Sequence, residues 1–166
     1  MADHESILKL SAALVSELAA SGKTVSMAES CTGGWVSKAI TDVSGSSEVF
    51  AYGLVSYSNG AKESLLGVQP KTLDEQGAVS EAVVREMAEG ALRLSGADIA
   101  AAVSGIAGPT GGTEDKPVGT VWFAWAVRDG ADAKTDSSCE HFTGDRELVR
   151  ESTVAYALQG LRERIV

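Results

Sequence analysis

A short and almost uninterrupted apolar run, 98–104 (DIAAAVS), constrains the fold of this chain more than any other segment. Such a run predicts a central β-strand that is covered on both of its faces. Before it, candidate strands and helices alternate, and after it two more candidate strands follow one another. This order predicts an α/β protein in which helices cover both sides of a mixed sheet.

The remaining elements are indicated by helical periodicity and by residues that begin or end helices. Gly22 is suited to end the first helix, and Ser80 and Asp145 are suited to cap two later ones. Pro70 opens a segment that we expect to be an irregular connection. No linker or internal repeat divides the chain, so we expect one domain over residues 1–166. We predict helices over roughly 3–20, 35–43, 59–66, 81–95 and 145–164, and strands over 24–28, 49–57, 98–104, 118–127 and 137–142.

Charge and composition narrow the classes of partner. The chain carries 14 basic and 23 acidic residues, a formal charge of −9, which disfavours nucleic acid because phosphate binding requires a basic face. No apolar run approaches the roughly 18 residues of a membrane span. The first residues do not resemble a targeting peptide, so we expect a cytoplasmic protein. Cys31 and Cys139 are expected to be free thiols, and with the distant His4 and His141 they form no metal-ligand pattern, so no metal or cofactor is predicted.

The motif AESCTGGW, from Ala28 to Trp35, places a serine, a cysteine and a threonine where a strand ends and a helix begins. Gly33 and Gly34 would let backbone N–H groups approach a ligand, and the helix N-terminus favours negative charge there. The turn therefore suits a phosphate or the oxyanion of an acyl transfer, although a strand-to-helix turn also needs glycine for its φ angles alone. A second glycine-rich loop, 105–112, follows the central strand, and such loops line the ligand crevice of open α/β sheets.

A lysine is the strongest candidate for the base that would activate a nucleophile in this motif, because the two histidines suit a Ser-His-Asp triad poorly. Burial would lower the pKa of Lys62 and let it accept a proton from Ser30, whereas the alternative is a solvated lysine at a helix start. Cys31 is either a competing nucleophile acidified by the helix N-terminus or a buried spacer. Glu29 either orients Lys62 or caps a backbone group. Arg146 either clamps an anion or lies exposed.

Six long segments of the chain resemble the CinA C-terminal domain family, and they occur in the family's order. They are AESCTGGWVSKAIT, GSSEVF, GLVSYSNGAKESLLGV, GAVSEAVVREMA, SGIAGPTGGTEDKPVGTVWFAWA and FTGDRELVRESTVAYAL. The resemblance spans roughly Leu8 to Leu161, and the family's characterised members include nicotinamide mononucleotide deamidase. It implies a three-layer α/β/α sandwich with a mixed central sheet, no required metal or cofactor, and usually a homo-oligomer. The chain is similar to the stand-alone form of the family, without the N-terminal domain of molybdopterin-binding type that some members carry.

The resemblance also implies a reaction and the residues that carry it out. Nicotinamide mononucleotide would be hydrolysed to nicotinate mononucleotide and ammonia, with Ser30 as the nucleophile, Lys62 as its base and Tyr57 as a third catalytic residue that helps Lys62 to protonate the departing ammonia. Contacts to the oxyanion, the phosphate and the rest of the substrate would come from Thr32, Gly33, Gly34, Ser46, Ser47, Ser104, Gly105, Gly108 and Arg146. An amidohydrolase of a different small amide, or a non-catalytic pyridine-nucleotide-binding regulatory module, would use the same pocket. A partner in recombination is a third alternative, which the charge disfavours.

Overall fold

A five-stranded sheet lies between two layers of helices in a computed structural model that describes residues 2–166. One layer contains the first, second and last helices of the chain, and the other contains the three helices between them. The elements in chain order are α1 His4–Ser21, β1 Val25–Glu29, α2 Trp35–Thr41, a 3-10 turn at Ser46–Glu48, β2 Phe50–Val55, α3 Asn59–Leu66, α4 Pro70–Gln76, α5 Glu81–Ser95, β3 Ile99–Gly105, β4 Thr120–Asp129, β5 Asp132–His141 and α6 Arg146–Arg162. The three-layer α/β/α architecture with a mixed sheet is confirmed.

The strand order β2-β1-β3-β4-β5 brings three loops to one edge of the sheet. β1 is parallel to both β2 and β3, while β4 and β5 continue the sheet antiparallel. In this register Glu29, the last residue of β1, pairs with Val55 on one side and Val103 on the other. β2 and β3, the next two strands in the chain, lie on opposite sides of β1. At such a topological switch point a crevice opens beyond the carboxyl ends of the strands.

The predicted central strand β3 is buried on both faces. Ile99 and Val103 point into the apolar core below α1, α2 and α6, whereas Ala100 and Ala102 pack against the core formed with α5. This alternation explains the continuous apolar run, since a strand between two helical layers has no solvent face.

The helix boundaries follow the predicted capping residues. The side chains of Ser80 and Asp145 accept backbone N–H bonds in the first turns of α5 and α6, and Ser58 caps α3 in the same way. Gly22 ends α1 in the left-handed conformation, with φ 66°. Among residues 2–166, no helix combines the length and the apolar content that a membrane crossing requires.

Most boundaries of the predicted helices and strands lie within two residues of the expected ones, and two elements differ by more. The segment opened by Pro70 is a helix, α4, because proline at the first helical position is preorganised for it; only Leu73 of this helix is buried, so the helix has no periodic apolar stripe. β5 begins five residues earlier than expected, since Gly130, at φ 63°, allows a two-residue turn directly after β4. β5 is a largely polar edge strand, which gives its first half no hydrophobic alternation.

Candidate active site

Ser30 and Lys62 meet at the edge of the sheet where β1 and β2 end. Ser30 is the first residue after β1, and Lys62 lies in the first turns of α3, which follows β2 after three residues. The Lys62 Nζ lies 3.0 Å from the Ser30 Oγ, although 32 residues separate them in the chain. The parallel pairing of β1 with β2 therefore brings a hydroxyl and an amine into hydrogen-bond contact.

The amine of Lys62 is buried without a counter-ion. The residue is 1% exposed, and besides Ser30 its Nζ donates to the carbonyl of Ser56 at 2.8 Å and to that of Tyr57 at 3.3 Å. Burial disfavours the ammonium form and lowers the pKa of Lys62 below its ordinary value. Of the two alternatives for this lysine, the solvated one is wrong.

Cys31 lies beside Ser30 but is not a thiolate. It is buried, and this burial raises the pKa of the Cys31 thiol to about 12. Its carbonyl, like that of Thr32, accepts a hydrogen bond of 3.1 Å from the guanidinium of Arg150 on α6. The helix N-terminus therefore does not acidify this thiol, and Cys31 is a buried neighbour of the serine rather than a competing nucleophile.

The carboxylate of Glu29 occupies the N-terminus of α2. It is fully buried and accepts hydrogen bonds from the backbone N–H groups of Val36 and Ser37, at 2.9 and 3.0 Å, and from the hydroxyls of Thr32 and Ser37, both at 2.6 Å. Glu29 thus caps backbone groups rather than contacting Lys62. The anion that this helix terminus favours is supplied by the chain itself.

The Thr32 side chain and the two glycines of the turn after Ser30 lie outside the Ser30 cavity. Thr32, Gly33 and Gly34 line a shallow depression of about 480 Å³ together with His4, Trp35, Lys38 and Arg150. The N–H of Gly33 is already engaged, since it donates to the carbonyl of Ser30 at 3.0 Å. The structure therefore does not bring the side chain of Thr32 or the two glycines into the cavity beside Ser30, where they were expected to contact the substrate.

The cavity beside Ser30 has a volume of about 220 Å³ and collects most of the other expected residues. Sequence reasoning assigned no role to four of its lining residues, Asn59, Ala78, Val79 and Ala107. Ala78, Val79 and Ala107 carry no reactive group, so the only sequence feature that could have indicated them is that they belong to segments that resemble the family. The complete lining is Ser30, Cys31, Tyr57, Asn59, Lys62, Ala78, Val79, Ser104, Gly105, Ala107 and Arg146.

Arg146 closes one side of the mouth of this cavity. Its guanidinium donates to the carbonyl of Gly108 at 2.8 Å and to the hydroxyl of Tyr57 at 3.2 Å. Tyr57 is 60% exposed, and its carbonyl rather than its hydroxyl contacts Lys62. Deeper inside, the buried Ser104 donates to the carbonyl of Ala78 at 2.8 Å and so ties the segment before α5 to the end of β3.

Ser46 and Ser47 lie at the opposite end of the strands from Ser30. Their 3-10 turn precedes β2, whose first residue, Phe50, pairs with Val25 at the start of β1. The length of β1 separates them from Ser30, so this chain does not bring them to the cavity. His141 is exposed at the end of β5, and within residues 2–166 no three histidine, cysteine or acidic side chains form a metal-ligand cluster.

Comparison with known proteins identifies relatives over the whole chain. The CinA C-terminal domain model matches residues 7–165. The nicotinamide-nucleotide amidohydrolase PncC of Escherichia coli strain K12 is 53% identical over 166 residues, which are 100% of this chain and 98% of that protein. A CinA-like protein of Geobacter sulfurreducens is 52% identical over 145 residues, 87% of this chain but 34% of that longer protein.

Solved structures show the same fold. The crystal structure of the competence damage-inducible protein A from Klebsiella pneumoniae superimposes with a TM-score of 0.90 at 43% identity, covering 95% of this chain and 96% of that one. The competence/damage inducible protein CihA from Agrobacterium tumefaciens superimposes with a TM-score of 0.88 at 42% identity, covering 94% and 93%.

Proposed function

The chain belongs to the CinA C-terminal domain family, and we propose that it is a nicotinamide-nucleotide amidohydrolase with a Ser30–Lys62 catalytic pair. It would hydrolyse the carboxamide of nicotinamide mononucleotide to give nicotinate mononucleotide and ammonia. The observation that carries this proposal is the contact of 3.0 Å between a buried amine and a serine hydroxyl in a cavity. Its relatives of equal length, such as PncC of Escherichia coli, are named for this activity.

The surroundings of Lys62 suit a general base. A neutral amine has two N–H groups and one lone pair, and the carbonyls of Ser56 and Tyr57 can accept both N–H groups. The lone pair then faces the Ser30 hydroxyl, which is the arrangement that proton transfer requires. Burial without a counter-ion favours this neutral form, because the pKa of Lys62 is lowered.

The reaction would proceed through an acyl-enzyme. Lys62 takes the proton of Ser30 while the Oγ bonds to the carboxamide carbon, and the resulting ammonium gives its proton to the amide nitrogen as the C–N bond breaks and ammonia leaves. Lys62 then takes a proton from water, which attacks the ester carbon, and returns that proton to Ser30 as nicotinate mononucleotide departs. We assign the oxyanion to the backbone N–H groups of Cys31 and Thr32, since that of Gly33 is engaged within the turn.

Substrate binding would use the mouth of the cavity. A volume of about 220 Å³ suits the nicotinamide ring, and the phosphate would then reach the mouth, where Arg146 offers a guanidinium. Tyr57 and Gly108, which now accept hydrogen bonds from Arg146, would border this phosphate position. Ser104 and Gly105 would shape the wall beside the ring.

Broader properties of the chain are part of the same proposal. We propose one catalytic domain over residues 1–166 that acts in the cytoplasm as a homo-oligomer and has no nucleic-acid partner. The formal charge of −9 supports the last point, because a negative surface repels phosphates. The family model, which matches residues 7–165 as a single unit, supports the first.

Ammonia release from nicotinamide mononucleotide tests the proposal. We expect turnover by the wild type and a loss of at least a thousandfold in Ser30→Ala and in Lys62→Met. The matched controls Ser64→Ala and Lys71→Met change an exposed serine of α3 and an exposed lysine of α4, and they should keep full turnover. Near-full turnover by Ser30→Ala would show that the nucleophile is assigned wrongly, and a wild type that releases no ammonia would refute the function.

A further inference from the structure

The residue directly before the nucleophile holds both members of the catalytic pair through different atoms. The side chain of Glu29 accepts hydrogen bonds from the turn and from α2, and its backbone carbonyl accepts from Ser56. Glu29 is completely buried and makes no ion pair with any residue among 2–166. Burying a carboxylate without a cation costs free energy unless several hydrogen-bond donors satisfy it. Four donors surround the Glu29 carboxylate, and they lie on the turn after Ser30 and on α2.

The side-chain contacts fix the turn that presents Ser30. The hydroxyl of Thr32, two residues after Ser30, donates to Glu29 Oε1 at 2.6 Å, so the carboxylate spans the nucleophile from one side to the other. Val36 and Ser37 anchor the same carboxylate to α2 through their backbone N–H groups. Ser30 therefore lies within a loop whose two ends share one buried anion.

The backbone contact fixes the position of Lys62. The carbonyl of Glu29 accepts the N–H of Ser56 at 2.8 Å, and the Ser56 hydroxyl lies 3.4 Å from the same oxygen. The carbonyl of Ser56 in turn accepts from the Lys62 Nζ at 2.8 Å. Glu29 is thus one hydrogen-bonded residue away from the base and one covalent bond away from the nucleophile.

We infer that Glu29 is a positioning residue that holds Ser30 and Lys62 at reaction distance from each other. The inference rests on the proposed function insofar as it takes these two residues as nucleophile and base. Glu29 contacts neither the cavity nor the Lys62 amine, so it acts through the turn and through Ser56. This role explains why a glutamate side chain binds the first N–H groups of α2. At most helices a serine, threonine, aspartate or asparagine at the N-cap position does so.

A glutamine could not replace this carboxylate. Each oxygen of Glu29 accepts one backbone N–H and one hydroxyl: Oε1 from Val36 and Thr32, and Oε2 from both donors of Ser37. In either orientation the NH₂ group of a glutamine would face a backbone N–H of α2, which cannot turn to accept. The neighbouring hydroxyl can turn to accept from this NH₂ group, but the hydrogen bond of the backbone N–H would be lost and two donors would oppose each other, so the turn should shift.

The experiment compares Glu29→Gln with wild type and with Glu89→Gln, a change of an exposed acid on α5. A fluorophosphonate probe forms an O–P bond with Ser30 and releases fluoride while Lys62 takes the hydroxyl proton. The first-order rate constant of labelling reports the geometry of the pair, and the amplitude reports the folded fraction. For Glu29→Gln we expect full amplitude, a rate constant reduced at least tenfold, and a similar loss of kcat with KM within twofold. Glu89→Gln should match the wild type.

A rate constant within twofold of wild type, or a loss of amplitude alone, would overturn the inference, because a merely structural role lowers only the folded fraction. If Glu29→Gln does not fold, Thr32→Val and Ser37→Ala each remove one hydroxyl from the carboxylate and should slow labelling at least threefold. No slowing in either would also overturn it. If the wild type releases no ammonia but labelling slows in Glu29→Gln as expected, the proposed substrate is refuted and the role of Glu29 stands. If Ser30 of the wild type does not react with the probe, both the catalytic pair and the role of Glu29 are overturned.

Discussion

Arg146 and Tyr57, 89 residues apart in the chain, meet at the mouth of the Ser30 cavity, where the guanidinium donates to the phenol at 3.2 Å. The same guanidinium reaches the carbonyl of Gly108 at 2.8 Å. One side chain of α6 therefore connects the segment before α3 with the loop after β3. A substrate phosphate would have to replace the Gly108 carbonyl and the Tyr57 hydroxyl as hydrogen-bond acceptors of this guanidinium. Because a charged acceptor binds a guanidinium more strongly than a neutral one, the phosphate would displace them.

Arg146→Ala should impair the binding of the phosphate specifically. We expect KM for nicotinamide mononucleotide to rise at least tenfold, since a charge-assisted hydrogen bond is worth about 1.5–3 kcal/mol. The nucleoside that lacks the phosphate should be turned over equally by both proteins. The neighbouring exposed acid offers a control, Glu147→Gln, which should leave both substrates unaffected. An equal loss with nucleotide and nucleoside would remove Arg146 from the phosphate position.

The pH dependence should follow Lys62. The proposed base is its neutral form, and burial lowers its pKa below the ordinary value of 10.5, so kcat/KM should fall as the pH drops through that lowered pKa. The unfolded chain binds the proton more tightly. The contribution of Lys62 to stability is therefore fully present above the ordinary pKa and is lost as the pH falls through the lowered one.

Two measurements check this sign. A pH–rate profile gives the apparent pKa of the base, and chemical denaturation at several pH values gives the free energy of unfolding. The free energy of unfolding of the wild type minus that of Lys62→Met should increase as the pH rises toward 10.5. An apparent pKa at or above the ordinary value would contradict the role of Lys62 as a neutral base.

Cys31→Ser should keep most of the activity, because the thiol is buried and protonated, with its pKa raised to about 12. In the folded protein, iodoacetamide should modify only the half-buried Cys139, and Cys31 should react after unfolding. Mass spectrometry of modified peptides measures both. Loss of activity in Cys31→Ser, with Cys31 alkylated in the native protein, would restore the thiol as a nucleophile.

Gly160→Ala and Gly60→Ala should have opposite effects on stability. A Cβ at Gly160 on α6 would overlap the indole of Trp125, and overpacking of this kind costs about 1–3 kcal/mol. A Cβ at Gly60 on α3 has ordinary space, so the lower entropy of the unfolded chain should stabilise the fold by about 0.4–1 kcal/mol. Urea denaturation of both variants decides, and a stabilised Gly160→Ala would mean that α6 can move away from the sheet.

The order of strands and helices is readable from the sequence because it depends on local periodicity and on caps such as Ser80. The contact of Ser30 with Lys62 is not, since it depends on which strands pair and in what register. Motif resemblance indicated both residues without that information. It also grouped Ser46 and Ser47 with them, although these serines precede β2 while Lys62 follows it, so the sheet separates them.

The role of Glu29 could not be chosen from the sequence for a related reason. From the sequence, Glu29 could either orient Lys62 or cap a backbone group, and in the structure its carboxylate turns toward α2 and receives four hydrogen bonds there. The same turn explains the glycine-rich motif differently from a phosphate cradle. Its anion is the Glu29 carboxylate, which is why we propose Arg146 rather than this turn for the substrate phosphate.

Lys62, the proposed base, follows β2, an edge strand with β1 as its only neighbour among residues 2–166. Edge strands fray before the centre of a sheet, and local opening of this kind needs less free energy than global unfolding. Amide hydrogen exchange should therefore be faster in β2 than in β3. Each fraying event withdraws the amine from the serine while the rest of the sheet stays intact, so warming should inactivate the enzyme below the temperature at which its circular dichroism is lost.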